Sequence, residues 1–483
     1  MAHLLALSPS QFRVPMRRLL FALCTIALLA GPAQAQTAPN APAGDGPDNV
    51  ILMIPDGFGP ASVTMARDYL RWRDGTTELP YDSLHVGSAR TFSSDSRITD
   101  SAAGGTALAT GVKTYNGAIS VDTTKRPVGT LLEGAEQRGM ATGLVVTSRL
   151  THATPAVFSA HVPDRDQENK IALQQLNQDI EVLLGGGKRH FLPESATDSE
   201  RNDERNLLNE AEKDGYQVVE STDGLSQAGN DPLLGLFSDG HMAYEIDRPS
   251  DEPSLAQMTD AAIDVLSEQG DGYFLMVEGS RIDHAGHGND AAAHLHDILA
   301  FNDAVETALN AAKGSNTLVL VVSDHETGGL TLGRNRDGEG IYQWHPDELA
   351  DVEASSAAIA DSIRAIRQSD AAPETVRQRI EDTVARLTGV SDPANERVQR
   401  LKNVEGPYAV GEAVSPIVNH EALVGWTSHA HTAVDVGLYA YGPGANRFVG
   451  NHDNTTVARL LADLMDVNLQ ALTERMRARA TSE

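Results

Sequence analysis

Short, unbroken apolar runs recur along this chain, and three of them are followed closely by a carboxylate. The runs are residues 50–54, 274–277 and 318–322, and the carboxylates are Asp56, Glu278 and Asp324. Continuous apolar runs of about four to eight residues are typical of parallel strands that are buried on both faces. The chain is therefore expected to deliver three acidic side chains to the carboxyl ends of buried strands.

Two further strands and several helices are expected between and after these runs. Residues 144–147 and 436–440 have the composition of strands, and apolar residues recur at helical spacing in 255–266 and 298–309. Strands that alternate with helices predict an α/β fold, here a three-layer sandwich with a mostly parallel central sheet and helices on both faces. Ligands in such folds bind beyond the carboxyl ends of the strands.

Residues 98–106 (ITDSAAGGT) place Ser101 after an aspartate and before a run of small residues. Small side chains let the N-terminus of a helix approach a ligand closely, and its free N–H groups suit an anion. Ser101 could attack phosphorus there if a metal ion activated its hydroxyl, since no histidine lies nearby in the sequence. The alternative interpretation is a small-residue helix start that packs against the sheet.

Histidine and acidic residues cluster close to the ends of the predicted strands. Asp283 and His287 are four positions apart, so one helical turn puts both on one face, and this pair suits zinc. The other clusters contain Asp324 and His325, His152, and the pair His429 and His431. Each of these histidines taken alone is more often a hydrogen-bonded or surface residue. Taken together beside strand ends, they predict a metal site.

The first 35 residues have the pattern of a secretory signal peptide. Arg13, Arg17 and Arg18 precede an apolar run at 19–30, and Ala33-Gln34-Ala35 is a small-x-small cleavage site. We expect cleavage after Ala35, by the general or the twin-arginine route, and a periplasmic or secreted protein. The apolar run is too short for a permanent membrane anchor.

The charge of the chain limits its partners. The formal net charge is −29, and loss of the three signal-peptide arginines makes it more negative still. So acidic a surface disfavours nucleic acid and anionic membranes, and a phosphate pocket would need local cations. The only cysteine, Cys24, lies in the predicted signal peptide, so the exported chain is expected to form no disulfide.

In these residues the chain closely resembles the alkaline phosphatase family. Residues 98–106 match the serine signature of that family at every constrained position, and further similar stretches run from 49 to 443. They include residues 184–187, 233–237, 276–279 and 323–329. The resemblance implies an alkaline-phosphatase-like fold and hydrolysis of small phosphate monoesters through a phosphoserine, at a site with two Zn²⁺ ions and one Mg²⁺ ion. It also implies a homodimer.

The resemblance assigns roles residue by residue. Ser101 is implied as the nucleophile and Arg165 as the residue that binds phosphate. The implied ligands of the first zinc are Asp283, His287 and His431, those of the second zinc are Asp56, Asp324 and His325, and those of the magnesium are Asp56, Thr154 and Glu278, with His152 beside it. An alternative for Arg165 is a surface arginine paired with Asp164 or Asp166.

The chain departs from part of the family at three positions. His152 and His284 stand where some bacterial members have Asp and Lys, and in this the chain is similar to animal members. Ser238 stands where animal members have a calcium-binding Glu, so no calcium is predicted. Of the neighbouring histidines His429 and His431, the family pattern favours His431.

Three other functions remain open from the residues alone. A sulfatase of the same superfamily would need Pro and Arg where Ala103 and Gly105 stand. A phosphodiesterase usually has threonine as nucleophile and lacks a counterpart of Arg165. A non-catalytic metal- or phosphate-binding protein is the third possibility, and an intact Ser101 beside six zinc ligands argues against it.

The predicted organisation is a signal peptide (1–35), a flexible leader (36–48), one alkaline phosphatase catalytic domain (49–470) and a C-terminal tail (471–483). Within the domain, residues 345–425 have few strand signals. Two apolar stripes at 359–366 and 376–387 predict an inserted helical pair on the edge of the sandwich. The polar stretch 193–230 is expected to form surface helix and loop.

Overall fold

The computed structural model describes residues 46–335, 338–392, 396–401, 404 and 407–480. The predicted signal peptide and most of the predicted leader lie outside the described residues. The strands in the described part are β1 (Asn49–Ile54), β2 (His85–Arg90), β3 (Ala141–Arg149), β4 (Val182–Gly186), β5 (Gln217–Val219), β6 (Leu233–Leu236), β7 (Tyr273–Glu278), β8 (Thr317–Val322), β9 (Glu326–Thr327), β10 (Thr331–Leu332), β11 (Val424–Gly425), β12 (His431–Thr432), β13 (Val436–Tyr441) and β14 (Gly450–Asp453).

Ten of these strands form one sheet in the order β14-β2-β13-β8-β1-β7-β3-β4-β6-β5. The strands from β8 to β5 are parallel, whereas β13 runs antiparallel to both β2 and β8. The five predicted strands lie on β1, β3, β7, β8 and β13, so the mostly parallel sheet is confirmed. Because β1 lies between β7 and β8, the carboxyl ends of these three strands meet at one edge.

Helices cover both faces of this sheet. The α-helices of the described residues are α1 (Pro60–Asp74), α2 (Ser101–Thr110), α3 (Leu131–Gln137), α4 (Ala153–Ser159), α5 (Glu168–Leu176), α6 (Leu207–Lys213), α7 (Thr222–Ser226), α8 (Leu255–Ser267), α9 (Arg281–His287), α10 (Ala291–Ala312), α11 (Ser356–Arg367), α12 (Pro373–Thr388), α13 (Glu396–Leu401), α14 (Pro407–Glu421), α15 (Asn454–Leu464) and α16 (Leu469–Ala480). None of the helices in the described part is long and apolar enough to cross a bilayer.

The alternation of side chains along β1 explains the three layers. Ile51 and Met53 point into one apolar cluster, which α1, α8 and α10 cover, and Leu52 and Ile54 point into the other, which α2, α3, α4 and α15 cover. The helical patterns predicted at 255–266 and 298–309 lie on α8 and α10. The predicted three-layer sandwich is therefore confirmed, with one buried core on each face of the sheet.

The helices α11 to α14 pack a third apolar cluster of their own. The two predicted stripes lie on α11 and α12, and α13 and α14 complete the cluster with Val398 and Val414 among its buried residues. The limits of the insert, the catalytic domain and the C-terminal tail stay predictions. Residues 469–480 form α16, and the stretch 193–230 contains the short edge strand β5 besides helix and loop.

One buried carboxyl group links stability to pH. Burial, followed by the negative charge of Glu133, raises the pKa of Glu136 on α3 from 4.5 to about 8. Between these two values the folded chain holds the proton more tightly than the unfolded chain does, so the free energy of unfolding falls as the pH rises. Glu136→Gln removes this loss of stability, because glutamine does not ionise. We expect the variant to be more stable than the parent by ~1–3 kcal/mol above about pH 8, and no more stable than the parent below about pH 4.5.

Urea unfolding of both proteins at the two pH values, at equal metal concentration, tests this expectation. Glu212→Gln on α6 is the matched control, because Glu212 is exposed. A stability difference between Glu136→Gln and the parent that does not change with pH would contradict it.

Candidate active site

The serine stretch forms the first turns of α2. The carboxylate of Asp100 accepts a hydrogen bond from the N–H of Ala103 at 2.9 Å and so caps the helix, which leaves Ser101 as its first residue. Ser101 is buried, and its Oγ lies 3.1 Å from Nε2 of His325. The small residues allow a close approach, because a Cβ on Gly104 would come within 3.1 Å of the carbonyl oxygen of Asp324.

Asp283 and His287 lie one turn apart on α9, as predicted from their spacing. Nε2 of His287 is 3.4 Å from the carboxylate of Asp283 and 3.1 Å from Nε2 of His431. Pairing of β12 with β9 brings His431 to this place, and its ring stacks on that of His325 at 3.5 Å. Asp283, His325 and His431 each offer a ligand atom within 4.8 Å of the others.

A second group of possible ligands lies at the ends of β1 and β8. Asp56, Asp324 and His325 are fully buried, and Nε2 of His325 is 3.5 Å from Asp56 and 3.2 Å from Asp324. Burial, followed by the negative charge of Asp283, raises the pKa of Asp324 to about 7. Burial and the charge of Asp324 raise the pKa of Asp56 as well. The carboxyl groups of Asp56 and Asp324 are thus buried close to each other at the ends of these strands.

A third group combines Asp56 with His152 and Glu278, whose ligand atoms also lie within 4.8 Å of one another. Glu278 is the last residue of β7, and burial raises its pKa to about 8. Thr154, on the first turn of α4, is fully buried close by in the chain. Burial, followed by the charge of Arg165, lowers the pKa of His152, so its ring is neutral and can act as a ligand.

Six buried polar atoms in and beside these groups have no hydrogen-bond partner. They are both carboxylate oxygens of Asp56, Oδ2 of Asp324, Oε1 of Glu278, Oγ1 of Thr154 and Nδ1 of His152. Such atoms are costly unless a partner or a metal ion satisfies them. The donors suit divalent cations, since imidazole with carboxylate is a typical zinc set and carboxylate with hydroxyl oxygen suits magnesium.

Arg165 lies beside these groups and contacts two predicted site residues. One guanidinium nitrogen donates to the carboxylate of Asp100 at 3.0 Å, and the other donates to Nε2 of His152 at 3.0 Å. Its backbone N–H donates to the carbonyl of Gly117 at 2.8 Å. The carboxylate partner of Arg165 is therefore Asp100, next to Ser101, and not Asp164 or Asp166.

The structure places other histidines near the predicted residues. The rings of His241 and His284 lie 5.3 and 5.4 Å from the ring of His152, and 4.3 Å from each other. His241 was not predicted, although it follows the carboxyl end of β6 as the predicted residues follow other strands. His429 bonds to the backbone of His287 through Nδ1 and belongs to none of the ligand groups found among the described residues.

Comparison with known proteins identifies the family that this site belongs to. The model of the family described as alkaline phosphatase matches residues 47–467. The chain belongs to the alkaline phosphatase family. It is 38% identical to the repressible alkaline phosphatase of Saccharomyces cerevisiae, an alignment that covers 89% of this chain and 83% of the yeast protein.

Solved alkaline phosphatases share the fold. The cold-active enzyme of Shewanella sp. superposes with a TM-score of 0.76 at 36% identity, covering 86% of this chain and 99% of that one. The enzyme of Thermus thermophilus superposes with a TM-score of 0.77 at 31% identity, covering 93% of this chain and 97% of that one. The family predicted from residues 98–106 is confirmed, and the chain is a metal-dependent enzyme that hydrolyses small phosphate monoesters.

Proposed function

We propose that the chain hydrolyses phosphate monoesters through a phosphoserine on Ser101, at a site that holds two zinc ions and one magnesium ion. The observation that supports this most is the position of the buried Ser101 Oγ, 3.1 Å from His325 and at the capped N-terminus of α2. Around it lie ligand groups whose buried donor atoms lack hydrogen-bond partners.

We assign the ligands in three sets, of which the second and the third share Asp56. Asp283, His287 and His431 would hold the first zinc, Asp56, Asp324 and His325 the second zinc, and Asp56, Thr154 and Glu278 the magnesium, with His152 beside it. When bound, such ions lower the pKa of coordinated oxygen groups and neutralise the charge that develops on a transferring phosphoryl group. The bound ions would also provide a partner for the buried ligand atoms that have no hydrogen bond. Their positive charge would offset the acidic net charge of the chain at this site.

The proposed reaction consists of two successive displacements at phosphorus. Oγ of Ser101 gives up its proton and forms a bond to phosphorus while the bond from phosphorus to the ester oxygen breaks, and the leaving ester oxygen takes up one proton to form the alcohol, so that no proton is gained or lost overall. A water molecule next displaces Oγ, which releases inorganic phosphate and regenerates Ser101. Arg165 would donate two hydrogen bonds to the nonreacting oxygens, and the N-terminal N–H groups of α2 face the same anion.

Metal analysis of the purified protein tests this proposal. We expect about two zinc ions and one more weakly bound magnesium ion per chain, because the proposed sets hold three donors for each zinc and mainly oxygen donors for magnesium. A chromogenic monoester should be cleaved much faster than the matching diester, and EDTA should abolish the activity and lower the unfolding temperature. Full activity with less than one bound transition metal per chain would contradict the proposal.

Location and assembly are proposals that rest on the sequence and on the family. We propose export to the periplasm or the medium after cleavage behind Ala35, and a homodimer. The acidic net charge of −29 disfavours nucleic acid as a partner. A small anionic ester can still bind, because the proposed metal ions would attract it.

A further inference from the structure

Glu168, the first residue of α5, makes a dense set of contacts close to the proposed magnesium site. Its carboxylate accepts hydrogen bonds from Nε and a terminal nitrogen of Arg149 at 2.7 and 2.8 Å, and from Oγ1 of Thr151 at 2.5 Å. Nε2 of His190 lies 3.1 Å from it. Burial alone would raise the pKa of Glu168, but the hydrogen bonds from His190 and Arg149 outweigh burial and lower it, so the group is ionised.

Two of the partners of Glu168, Arg149 and Thr151, come shortly before His152 in the chain. Residues 149–152 form a turn in which the N–H of His152 donates to the carbonyl of Arg149 at 2.9 Å. Glu168 binds side chains on the N-terminal side of His152, and Arg165, three residues before Glu168, donates to the ring of His152 at 3.0 Å. The segment 165–168 therefore contacts this turn at two points, of which one is already part of the proposed site.

Arg149 extends these contacts to a second histidine next to the ring of His152. One of its terminal nitrogens lies 2.5 Å from Nε2 of His241, and the ring of His241 packs 5.3 Å from that of His152. The side chains of Arg149 and Glu168 are only 14% and 16% exposed, so water cannot replace the pair easily. Without Glu168, a cationic guanidinium would be left without its anionic partner beside a cation site.

We propose that Glu168 is a positioning residue that holds residues 149–152, and through His152 sets both the magnesium site and the orientation of Arg165. This inference rests on the proposed function, because it takes His152 as part of that site. Glu168 itself contacts neither substrate nor metal. It fixes the turn, and its negative charge balances the positive charge of Arg149.

Equilibrium dialysis of the zinc-loaded protein against Mg²⁺, with the metals counted by mass spectrometry, tests the proposal. Glu168→Gln should weaken Mg²⁺ binding about 10–100-fold, the effect of losing a residue that supports a metal ligand. Thr151→Val removes one hydrogen bond without a change of charge and should weaken binding by ~3–10-fold. The ratio of kcat/KM for a monoester to that for a diester should fall in both variants, because Arg165 loses its fixed neighbour.

Asp82→Asn is the matched control. Asp82 accepts a forked pair of hydrogen bonds from Arg67 and one from the N–H of Leu79, so its loss breaks a similar ion pair away from the site residues. It should change neither Mg²⁺ binding nor the substrate ratio. Equal effects in Glu168→Gln and Asp82→Asn would overturn the proposal in favour of a general loss of stability.

The remaining outcomes separate this inference from the function on which it rests. If the parent protein binds no Mg²⁺, the proposed magnesium site is wrong, and an unchanged substrate ratio in Thr151→Val then refutes the role of Glu168 as well. If the parent binds Mg²⁺ and Thr151→Val binds it equally well, the positioning role is wrong while the proposed function stands. Should Glu168→Gln fail to fold, Thr151→Val still decides between these results.

Discussion

Ser101→Ala is expected to lower kcat for a phosphate monoester by roughly 10³–10⁶-fold, while the protein stays folded and keeps its metal ions. The physical reason is that Oγ is the proposed attacking atom, whereas the Cα and backbone of residue 101 are what α2 needs for its first turn. Alanine in a helix costs no packing here, because its Cβ is already present in serine. Activity and stability should therefore separate cleanly in this variant.

Ser62→Ala is the matched control for this experiment. Ser62 is also a buried serine, and its Oγ lies 2.9 Å from Nε2 of His294, much as Ser101 lies beside His325. Neither Ser62 nor His294 belongs to a ligand group in the described part of the chain. We expect this variant to lose some stability and to keep its turnover.

Acid quenching of the parent enzyme during turnover of a phosphate-labelled monoester gives a second readout. Label should appear on Ser101 by peptide mapping and be absent from Ser101→Ala. Turnover without any label on Ser101, together with a small effect of the substitution, would favour direct attack by water on the ester.

The long strands could be predicted from the sequence because both faces of the sheet are covered. β1, β7 and β8 are apolar at every position between their first and last residues, and such runs leave few alternatives. The two-residue strands β9 to β12 could not be predicted, because two residues contain no periodicity. Yet the pairing of β12 with β9 is what brings His431 to His325, so one contact of the site depends on structure that the sequence pattern does not reveal.

The positions of the three acidic residues could be predicted from the order of the strands in the sheet, whereas the position of Arg165 could not. Asp56, Glu278 and Asp324 were expected to lie together because parallel strands end at one edge, and the neighbouring order of β1, β7 and β8 brings them there. Arg165 lies in a loop without a helical or strand period. Its contact with Asp100 joins residues 65 positions apart, and only the folded chain defines it.

Arg165→Ser should reduce kcat/KM for monoesters by roughly 10²–10⁴-fold, on the order of 3–5 kcal/mol, the scale of a charge-assisted pair lost from a transition state. A monoester has terminal oxygens that can accept both hydrogen bonds of the guanidinium, whereas in a diester a second ester group caps one of them. The loss should therefore be smaller for diesters. Arg165→Lys should recover only part of the activity, because a single ammonium group cannot supply two parallel hydrogen bonds.

The contacts of Arg165 give a second reason to expect a large loss of activity, besides the loss of its charge. Asp100 and His152 hold its two terminal nitrogens at 3.0 Å each, so the guanidinium plane is oriented before substrate arrives and little side-chain entropy is lost on binding. Arg205→Ser is a suitable control, because Arg205 also donates two side-chain hydrogen bonds, both to the carboxylate of Glu210, away from the site residues. Kinetics on matched monoester and diester substrates decide the question. Equal losses on both substrates in Arg165→Ser would mean that the arginine supports binding of any phosphate ester, and selection of monoesters would then have to come from the metal-binding groups.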